Sequence, residues 1–307
     1  MKKPKIIVVG SSNADMVVKT DRIPAPGETV TGGQFMLALG GKGGNQAVAA
    51  ARLGGDVVLI SRIGADMFGD KALLGYEQEG INTQGIIRDT KNATGVALIL
   101  VDETGENLIS VASGANHFLS PDDVKKTEKE FANADVVVVQ LETPLDTLAY
   151  AATLANKYNI PLILDPAPAP ATPLAGSVLN AVMCIKPNEN EAQRLTGIVV
   201  NDERSAQKSA DVLIGQGVKN VIITLGTQGS LVVEKSGEGT LVPAEKVSAV
   251  DTTAAGDAYS GALAVAIGQG KSLVEAAVFA TKVAAISVTR MGAQPSLPTI
   301  DEIIDLR

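Results

Sequence analysis

Short runs of apolar, mostly β-branched residues recur along the chain and alternate with longer segments of helical period. Six runs have the length and composition of strands buried on both faces: residues 5–9, 56–60, 135–141, 160–164, 182–185 and 220–225. Three segments between them place Ala and Leu at helical spacing: residues 45–53, 144–158 and 204–215. The alternation predicts right-handed crossovers and an α/β fold with a mostly parallel central sheet flanked by helices.

Two segments interrupt this alternation. Residues 16–35 are strand-like but contain prolines and repeated glycines, and residues 95–112 have a hairpin pattern around a turn at 102–105. Neither is followed by a helix that would cover its second face. We expect a small, mostly antiparallel sheet built from about residues 14–38 and 94–113. Such a sheet can serve as a lid that excludes water from a site, or as a contact between two copies of the chain.

The C-terminal third carries the segment most suggestive of chemistry. Residues 255–288 predict two Ala-rich helices broken near Gly268, and a turn of small residues with two acids, Asp251 and Asp257, leads into the first. Small residues let a ligand approach the backbone, and the first turn of a helix has unpaired N–H groups that favour an anion. A carboxylate among those donors can take a proton from an attacking hydroxyl, which indicates phosphoryl transfer to an alcohol. A helix-capping role for Asp257 is the alternative.

Composition restricts the partners. The chain has 307 residues, 45% of them hydrophobic and 20% charged, which is ordinary for a globular protein, and we expect one domain over residues 1–307 with the lid as a subdomain. A net charge of −8 argues against nucleic acid or an anionic membrane as the main partner, so an anionic ligand needs a local site. The apolar runs fall short of the roughly 18 residues that span a membrane, and no signal-peptide pattern is visible, so we expect a cytoplasmic protein.

Cys184 and His117 are the single cysteine and the single histidine of the chain. One cysteine excludes an intrachain disulfide and a multi-cysteine zinc site, and the apolar neighbours of Cys184 predict a buried strand thiol. His117 has no second histidine with which to bind a metal. We therefore expect it to make a polar contact rather than to act in catalysis.

Polar side chains and a glycine-rich loop follow the first predicted strand. Asn13 and Asp15 come directly after it, and ligands of open α/β sheets bind beyond the carboxyl ends of strands. The glycine-rich loop at residues 40–44 leads into a helix but lacks the Ser or Thr of a phosphate-binding P-loop. Its glycines permit close approach of a ligand, and Lys42 and Asn45 offer donors suited to sugar hydroxyls. The alternative for Asn13 and Asp15 is a plain turn, and the alternative for the glycine-rich loop is a flexible loop without a ligand.

Three further polar segments follow later strands. Glu142 lies at the end of a buried strand and needs a partner, either a substrate or the local backbone. Asn188 and Glu191 share one face of a first helical turn, where their oxygens suit magnesium through water, and where a capping box is an equally good explanation. The Gly/Thr turn at residues 224–229 can border a nucleotide.

Taken together and in this order, the segments resemble the ribokinase, or phosphofructokinase-B-like, family of carbohydrate kinases, over essentially the whole chain. The matching strings are residues 13–15, 26–29, 40–47, 251–257 and 292–296. The resemblance implies ATP-dependent phosphorylation of D-ribose at the 5-hydroxyl, giving D-ribose 5-phosphate and ADP by in-line transfer. It also implies a homodimer formed through the β lid.

The resemblance implies residue roles at the sugar and the transferred phosphoryl group. Asp257 would be the general base, and the backbone N–H groups of Ala255, Gly256 and Asp257 would form an anion hole. The sugar-binding residues would be Asn13, Asp15, Gly41, Lys42, Asn45, Glu142 and Asp257.

Roles for the nucleotide and the cations are implied in the same way. Asn188 and Glu191 would act on magnesium (Mg2+) and the phosphates. The remaining ATP-binding residues would be Thr224, Gly226, Gln228, Gly229, Gly256 and Thr281, the last of them near the adenine. A monovalent cation activator, potassium (K+), would lie near Asp251, Thr253, Ser287, Arg290, Gly292 and Ser296.

One residue departs from the broad family pattern, and two rival functions stay open. The family usually has Gly where this chain has Ala254, and Ala fits only if that position does not need a positive φ. A nucleoside kinase would present more aromatic surface than 3% aromatic residues provide, whereas deoxyribose and other pentoses remain open as substrates. A catalytically silent sugar-binding protein on this fold would not need Gly256 and Asp257, which are both present.

Overall fold

The computed structural model describes residues 3–235 and 237–304. The strands are β1 (Lys5–Val9), β2 (Asn13–Lys19), β3 (Gln34–Gly40), β4 (Asp56–Gly64), β5 (Asn82–Asp89), β6 (Gly95–Val101), β7 (Asn107–Ala112), β8 (Val136–Val139), β9 (Leu162–Leu164), β10 (Val182–Ile185), β11 (Asn220–Thr224), β12 (Ser230–Glu234) and β13 (Thr240–Val242). The helices are α1 (Lys42–Arg52), α2 (Met67–Gln78), α3 (Pro121–Lys125), α4 (Glu128–Phe131), α5 (Leu145–Lys157), α6 (Gly176–Ala181), α7 (Glu189–Thr196), α8 (Glu203–Gly215), α9 (Ala255–Gly268), α10 (Leu273–Ser287) and α11 (Ile300–Ile304).

The central sheet has the strand order β13-β12-β11-β10-β9-β8-β1-β4-β5. Its strands pair in parallel except at one edge, where β12 runs antiparallel to β11 and to β13. This confirms the mostly parallel sheet flanked by helices that the sequence predicts. Among the described residues, no helix is both long and apolar enough to cross a membrane.

Alternate residues of the central strands face two different hydrophobic cores. Ile6 and Val8 pack in the core that contains α1, α9 and α10, whereas Ile7 and Val9 pack in the core that contains α5 and α8. A strand covered on both faces buries every side chain, which is why these runs are continuously apolar rather than alternating. Cys184 lies fully buried in β10, as predicted, and burial raises the pKa of its thiol to about 12.

Small residues bring helices α1 and α9 unusually close together. A Cβ added to Gly261 on α9 would lie 2.6 Å from the Cβ of Ala49 and 2.9 Å from the carbonyl oxygen of Gln46, both on α1. Only glycine fits at such a contact. The close packing matters for function because α1 and α9 both begin at the carboxyl-end edge of the central sheet.

The second sheet has the order β3-β2-β6-β7. Its outer pairs, β2–β3 and β6–β7, are antiparallel, as predicted, but its central pair, β2–β6, is parallel. Local hydrophobic pattern does not specify the direction of a pairing between two distant chain segments, so the sequence could not indicate this. The stretch 16–35, treated above as one strand-like piece, divides into the end of β2, a connecting loop and the start of β3.

Several elements were not predicted. The edge strand β5 reads Asn-Thr-Gln-Gly-Ile-Ile-Arg-Asp and lacks the apolar run of a strand buried on both faces. Helix α2 has a broken apolar pattern but a well-formed N-terminus, where Asp66 accepts hydrogen bonds from the backbone N–H groups of Phe68 and Gly69. These elements sit at an edge of the sheet, where the demand for burial is weakest.

We expect Gly261→Ala to lower the free energy of unfolding by about 1–3 kcal/mol, because the added methyl group overlaps α1. Urea unfolding measures the effect. Gly215→Ala, in helix α8 with open space at its Cβ, is the matched control and should change stability by less than about 1 kcal/mol, in the stabilising direction. Equal stability of the two variants would contradict the packing argument.

Candidate active site

Asp257 lies in the first turn of α9 and is 5% exposed. Its two carboxylate oxygens accept hydrogen bonds from neighbouring side chains of α1: Asn45 Nδ2 donates to Oδ2 over 2.8 Å, and Gln46 Nε2 donates to Oδ1 over 3.0 Å. The carboxylate makes no capping bond to the start of α9. Asp257 is therefore not the N-cap residue, which is Ala254, but it is the acidic residue in the first turn of α9, and α1 holds its side chain.

The surroundings of Asp257 make it more basic than an ordinary aspartate. Burial raises its pKa to about 6, with Asp165 acting in the same direction and with Lys42, Asn45 and Gln46 acting against it. At neutral pH the group is mostly ionised yet close to its pKa, which is the condition that favours a general base.

A cavity of about 610 Å³ opens between the carboxyl ends of the central strands and the second sheet. Asn13, Lys42 and Glu142 line it, together with Asn116 and His117. Glu142 Oε2 accepts a hydrogen bond from the backbone N–H of Lys42 over 3.0 Å, which ties the β8 loop to the start of α1. Three of the seven predicted sugar-binding residues, Asn13, Lys42 and Glu142, therefore line one cavity.

Asp15 shares this acidic region. Burial, reinforced by the charges of Glu142 and Asp257, raises its pKa to about 7. A carboxyl group at this pKa can either donate or accept a hydrogen bond near neutral pH. Lys42 is a buried cation of the same region: burial opposes its charge, but the charges of Asp257, Asp165 and Glu142 outweigh burial and raise its pKa.

The glycine-rich loop needs glycine at positions 40 and 41, where it passes Asn13 and Asp15. Gly41 has a φ of +82°, and a Cβ there would lie 2.8 Å from the backbone nitrogen of Asn13. A Cβ on Gly40 would lie within 2.0 Å of the Asp15 carboxylate. The loop is therefore fixed by close backbone contact, and the flexible-loop interpretation is wrong.

Asn45 has one buried polar atom left for a ligand. Its Nδ2 group is held by Asp257, but its Oδ1 atom has no hydrogen-bond partner among the described residues. Leaving a buried acceptor unpaired costs about 1–3 kcal/mol. A hydroxyl group in the cavity would supply the missing donor.

Sequence reasoning missed several residues that support the site. Asn116 Nδ2 donates to Asn13 Oδ1 over 2.7 Å, and Ser11 Oγ donates to Glu142. Asn116 lies in a short 3₁₀ helix, Gly114–Phe118, where the sequence drew attention only to its neighbour His117. His117 itself is exposed beside Phe118 at the edge of the cavity, with their rings 5.5 Å apart.

Asn188 and Glu191 form a capping box at the start of α7. Asn188 Oδ1 accepts from the backbone N–H of Glu191 over 2.8 Å, and Glu191 Oε2 accepts from the backbone N–H of Asn188 over 2.9 Å. The capping interpretation is confirmed, and the role at magnesium stays a prediction. Burial, and after it the charge of Asp165, raises the pKa of Glu191. A nearby cation would stabilise the ionised carboxylate and so oppose both effects.

The residues predicted at the nucleotide lie around the carboxyl end of β11. Thr224 forms an isolated parallel bridge to Asn188, and Gly226 begins the short 3₁₀ turn that ends at Gln228. Gly229 follows with a φ of +104°, and Thr281 is buried on α10. The turn is thus adjacent to the start of α7.

Asp251 ties two loops together behind α9. Its Oδ1 accepts from the backbone N–H of Thr253 over 2.9 Å and its Oδ2 from that of Gly292 over 2.8 Å. Burial opposes the charge of Asp251, but these hydrogen bonds hold its pKa below the usual value. Arg290 instead pairs with Glu302 at 2.5 Å, so its guanidinium is engaged by α11.

The remaining residues predicted at the potassium site use their side chains locally. The hydroxyl groups of Ser287 and Ser296 donate to the carbonyl oxygens of Ala284 and Ala293, over 2.8 and 2.7 Å. Across residues 3–235 and 237–304, no group of three or more His, Cys, Asp or Glu side chains is arranged to hold a metal ion.

The expectation for Ala254 is wrong. It caps the N-terminus of α9 with a φ of +59°, in the left-handed region, although Ala was expected only if this φ were not positive. A non-glycine residue there costs roughly 1–2 kcal/mol because Cβ crowds the following carbonyl oxygen. The conformation turns the backbone sharply into α9. The N–H of Ala255 donates to the carbonyl oxygen of Thr252 over 3.2 Å, so one of the three N–H groups predicted for the anion hole already has a partner within the turn.

Comparison with known proteins gives a consistent picture. The family model described as pfkB family carbohydrate kinase matches residues 3–300. The chain is 44% identical to the ribokinase of Haemophilus influenzae over 98% of this chain and 97% of that one, and 37% identical to the deoxyribokinase of Salmonella typhi over 97% and 96%. The structure of Arabidopsis thaliana ribokinase complexed with ribose and ATP superposes with a TM-score of 0.91 at 31% identity, covering 100% of this chain and 99% of that one.

We expect Ala254→Gly to raise the free energy of unfolding by about 1 kcal/mol, because glycine adopts the left-handed conformation without Cβ strain. Urea unfolding midpoints test this. Ala284→Gly, inside helix α10, serves as the control and should lower stability by about 1 kcal/mol. A loss of stability in both variants would rule out strain at position 254.

Proposed function

Because the chain belongs to the pfkB family of carbohydrate kinases, we propose that it transfers the γ-phosphoryl group of ATP to the 5-hydroxyl of D-ribose, giving D-ribose 5-phosphate and ADP. The family expected from the sequence is confirmed. The observation that carries the proposal is the buried Asp257 carboxylate, which α1 holds at the start of α9 through Asn45 and Gln46. The ribokinase relatives, which match over nearly their full length, support ribose as the acceptor.

Asp257 acts as the general base in this proposal. It takes the proton of the 5-hydroxyl as that oxygen attacks the γ-phosphorus, and the bond from phosphorus to the β-phosphate oxygen breaks in line. We assign stabilisation of the charge on the transferred group to the backbone N–H groups of Ala255, Gly256 and Asp257, of which that of Ala255 also donates to Thr252. The raised pKa of Asp257 supports this role, since a carboxylate with a pKa of about 6 accepts a proton more readily than an ordinary aspartate does.

The sugar lies in the cavity between the sheets. We assign its binding to Asn13, Asp15, Gly41, Lys42, Asn45 and Glu142. The free Oδ1 of Asn45 and the close backbone approach at Gly41 support this assignment. Closure of the second sheet over the sugar would exclude water, which limits hydrolysis of ATP.

The nucleotide and cation roles are assigned by the same family resemblance. ATP is bordered by Thr224, Gly226, Gln228, Gly229, Gly256 and Thr281, and magnesium is reached from Asn188 and Glu191. Glu191 has one carboxylate oxygen outside the capping box, and its raised pKa fits a cation partner. Bound magnesium would neutralise charge on the phosphates. Potassium would lie by the loops that Asp251 joins, near Thr253, Ser287, Arg290, Gly292 and Ser296.

2-Deoxyribose is the second candidate acceptor. The deoxyribokinase relative, 37% identical over 97% of this chain, supports it. The two acceptors differ only at the 2-hydroxyl, so a site built to hydrogen-bond that group would reject the deoxy sugar strongly. ADP release measured with ribose, 2-deoxyribose and other pentoses, with and without potassium, separates the candidates. Absence of sugar-dependent ADP release in every condition would refute the kinase proposal.

We expect Asp257→Asn to lower kcat by roughly 10²–10⁴-fold, because the amide retains shape but cannot accept the hydroxyl proton. Calorimetry should still detect ribose binding, and circular dichroism an unchanged fold. Asp301→Asn, an exposed aspartate on α11, is the control and should leave kcat unaltered. A near-normal kcat in Asp257→Asn would remove Asp257 from the role of base.

The second sheet also supports a homodimer. Its register places Phe35 opposite Val18 and Leu98 opposite Met16, so that Phe35 and Leu98 point to the same face, away from Asp15. Phe35, Leu98 and Leu108 are each more than half exposed. A contiguous exposed apolar face of this kind favours contact with a second copy of the chain.

We expect Leu98→Asp to weaken the dimer about 30-fold or more, since a central interface residue contributes 2 kcal/mol or more. Sedimentation velocity across a concentration range measures the change. Leu74→Asp, equally exposed on α2, is the matched control and should leave the association state alone. A wild-type chain that sediments as a monomer at all concentrations would refute the dimer.

A further inference from the structure

A buried polar network lies behind Asp257, and apart from the bond from Gln46 to Asp257 it has no part in the roles assigned so far. Gln46 on α1, Gln140 after β8, Asp165 after β9 and Lys186 after β10 are each at most 3% exposed. They lie at the carboxyl ends of three adjacent central strands and at the start of α1. Buried polar groups of this kind are costly unless they are held in one arrangement.

The Gln46 amide joins two carboxylates. Its Nε2 donates to Asp257 Oδ1 over 3.0 Å and to Asp165 Oδ2 over 2.9 Å. Gln140 Nε2 donates to Gln46 Oε1 over 2.6 Å, which fixes the orientation of the amide because its oxygen already has a donor. Both N–H groups of Gln46 are therefore directed at carboxylates.

Asp165 is in turn held from two further sides. Ser260 Oγ, one turn after Asp257 on α9, donates to Asp165 Oδ2 over 3.2 Å. Lys186 Nζ lies 3.4 Å from Asp165 Oδ1 and forms an ion pair with it. The Lys186 ammonium also comes within 3.5 Å of the point where a Cβ on Gly256 would stand. The buried Asp165 carboxylate thus meets the Gln46 amide, the Ser260 hydroxyl group and the Lys186 ammonium group.

We propose that Gln46 and Asp165 are positioning residues for the proton transfer: Gln46 fixes Oδ1 of Asp257, and Asp165 fixes the Gln46 amide and keeps a negative charge behind the base. The inference rests on the proposed kinase function. It assigns to Asp165 no contact with sugar or nucleotide.

The two residues act on the base in opposite directions. The negative charge of Asp165 stabilises the protonated form of Asp257, whereas the hydrogen bond from Gln46 stabilises the ionised form. The other charged groups that act on Asp257 are Lys42 on α1 and Asp15 on β2. Because Asp15 titrates in the same range, the informative quantity is the displacement of the pH profile between variants.

The test compares the acidic limb of kcat/KM for ribose in wild-type enzyme, Asp165→Asn and Gln46→Met. Asp165→Asn removes the negative charge but keeps an oxygen that accepts from Gln46. The pKa of Asp257 should therefore fall, and the acidic limb should move to lower pH. Gln46→Met removes the hydrogen-bond donor at similar side-chain volume. The pKa of Asp257 should therefore rise, and the acidic limb should move to higher pH. In both variants we expect kcat to fall roughly ten- to hundredfold, as a misplaced base requires, with ribose affinity by calorimetry within about threefold of wild type.

Asp123→Asn is the matched control. Asp123 is a similarly buried carboxylate that pairs with Arg62 and Lys126 away from the cavity, so its loss should reduce thermal stability and leave the pH profile in place. Unmoved limbs in Asp165→Asn and Gln46→Met, or displacement of both in one direction, would overturn the inference. If Asp165→Asn fails to fold because Lys186 is left unpaired, the direction of the Gln46→Met limb decides. A wild-type chain without ribose-dependent ADP release would refute the proposed function instead.

Discussion

The close packing of α1 against α9 is the constraint on which the site depends. Gly261 lets the two helix axes approach, and that approach brings Asn45 and Gln46 of α1 within hydrogen-bonding distance of Asp257 on α9. The two helices start from different glycine- and alanine-rich loops, far apart in sequence. A small residue in the hydrophobic core therefore sets the geometry of a polar site, and the packing and the chemistry of the protein cannot be varied independently.

Charge is concentrated at this site in a way that the net charge of the chain conceals. Asp15, Glu142, Asp165 and Asp257 lie close enough to influence one another or Lys42. Burial raises the pKa of Asp15 and of Asp257, and at Asp257 the amides of Asn45 and Gln46 and the charge of Lys42 oppose that effect. An acidic protein can still receive an anionic nucleotide here because donors at a helix start, rather than overall charge, would meet the phosphates.

The sequence predicted what depends on local pattern and missed what depends on distant contacts. Continuous apolar runs identified the strands of the central sheet, since burial on both faces leaves a strong signal, whereas the edge strand β5 left none. The residues at the cavity could be proposed from their places after strands and from family resemblance. Gln46, Asp165 and Asn116 could not, because their importance lies in partners about one hundred positions away. At Ala254 a local rule was overridden by the demands of the helix start.

The parallel pairing of β2 with β6 has a consequence for how the chain folds. Asn13 pairs with Gly95, and the chain between them contributes β4 and β5 to the other sheet. Loop-closure entropy opposes such a long-range pairing until the intervening segments are ordered. The two sheets are therefore interleaved along the chain, and neither is built from one continuous segment. The second sheet therefore cannot be removed or exchanged as a unit, because the stretch from Asn13 to Val101 that holds its central pair also holds two strands of the catalytic scaffold.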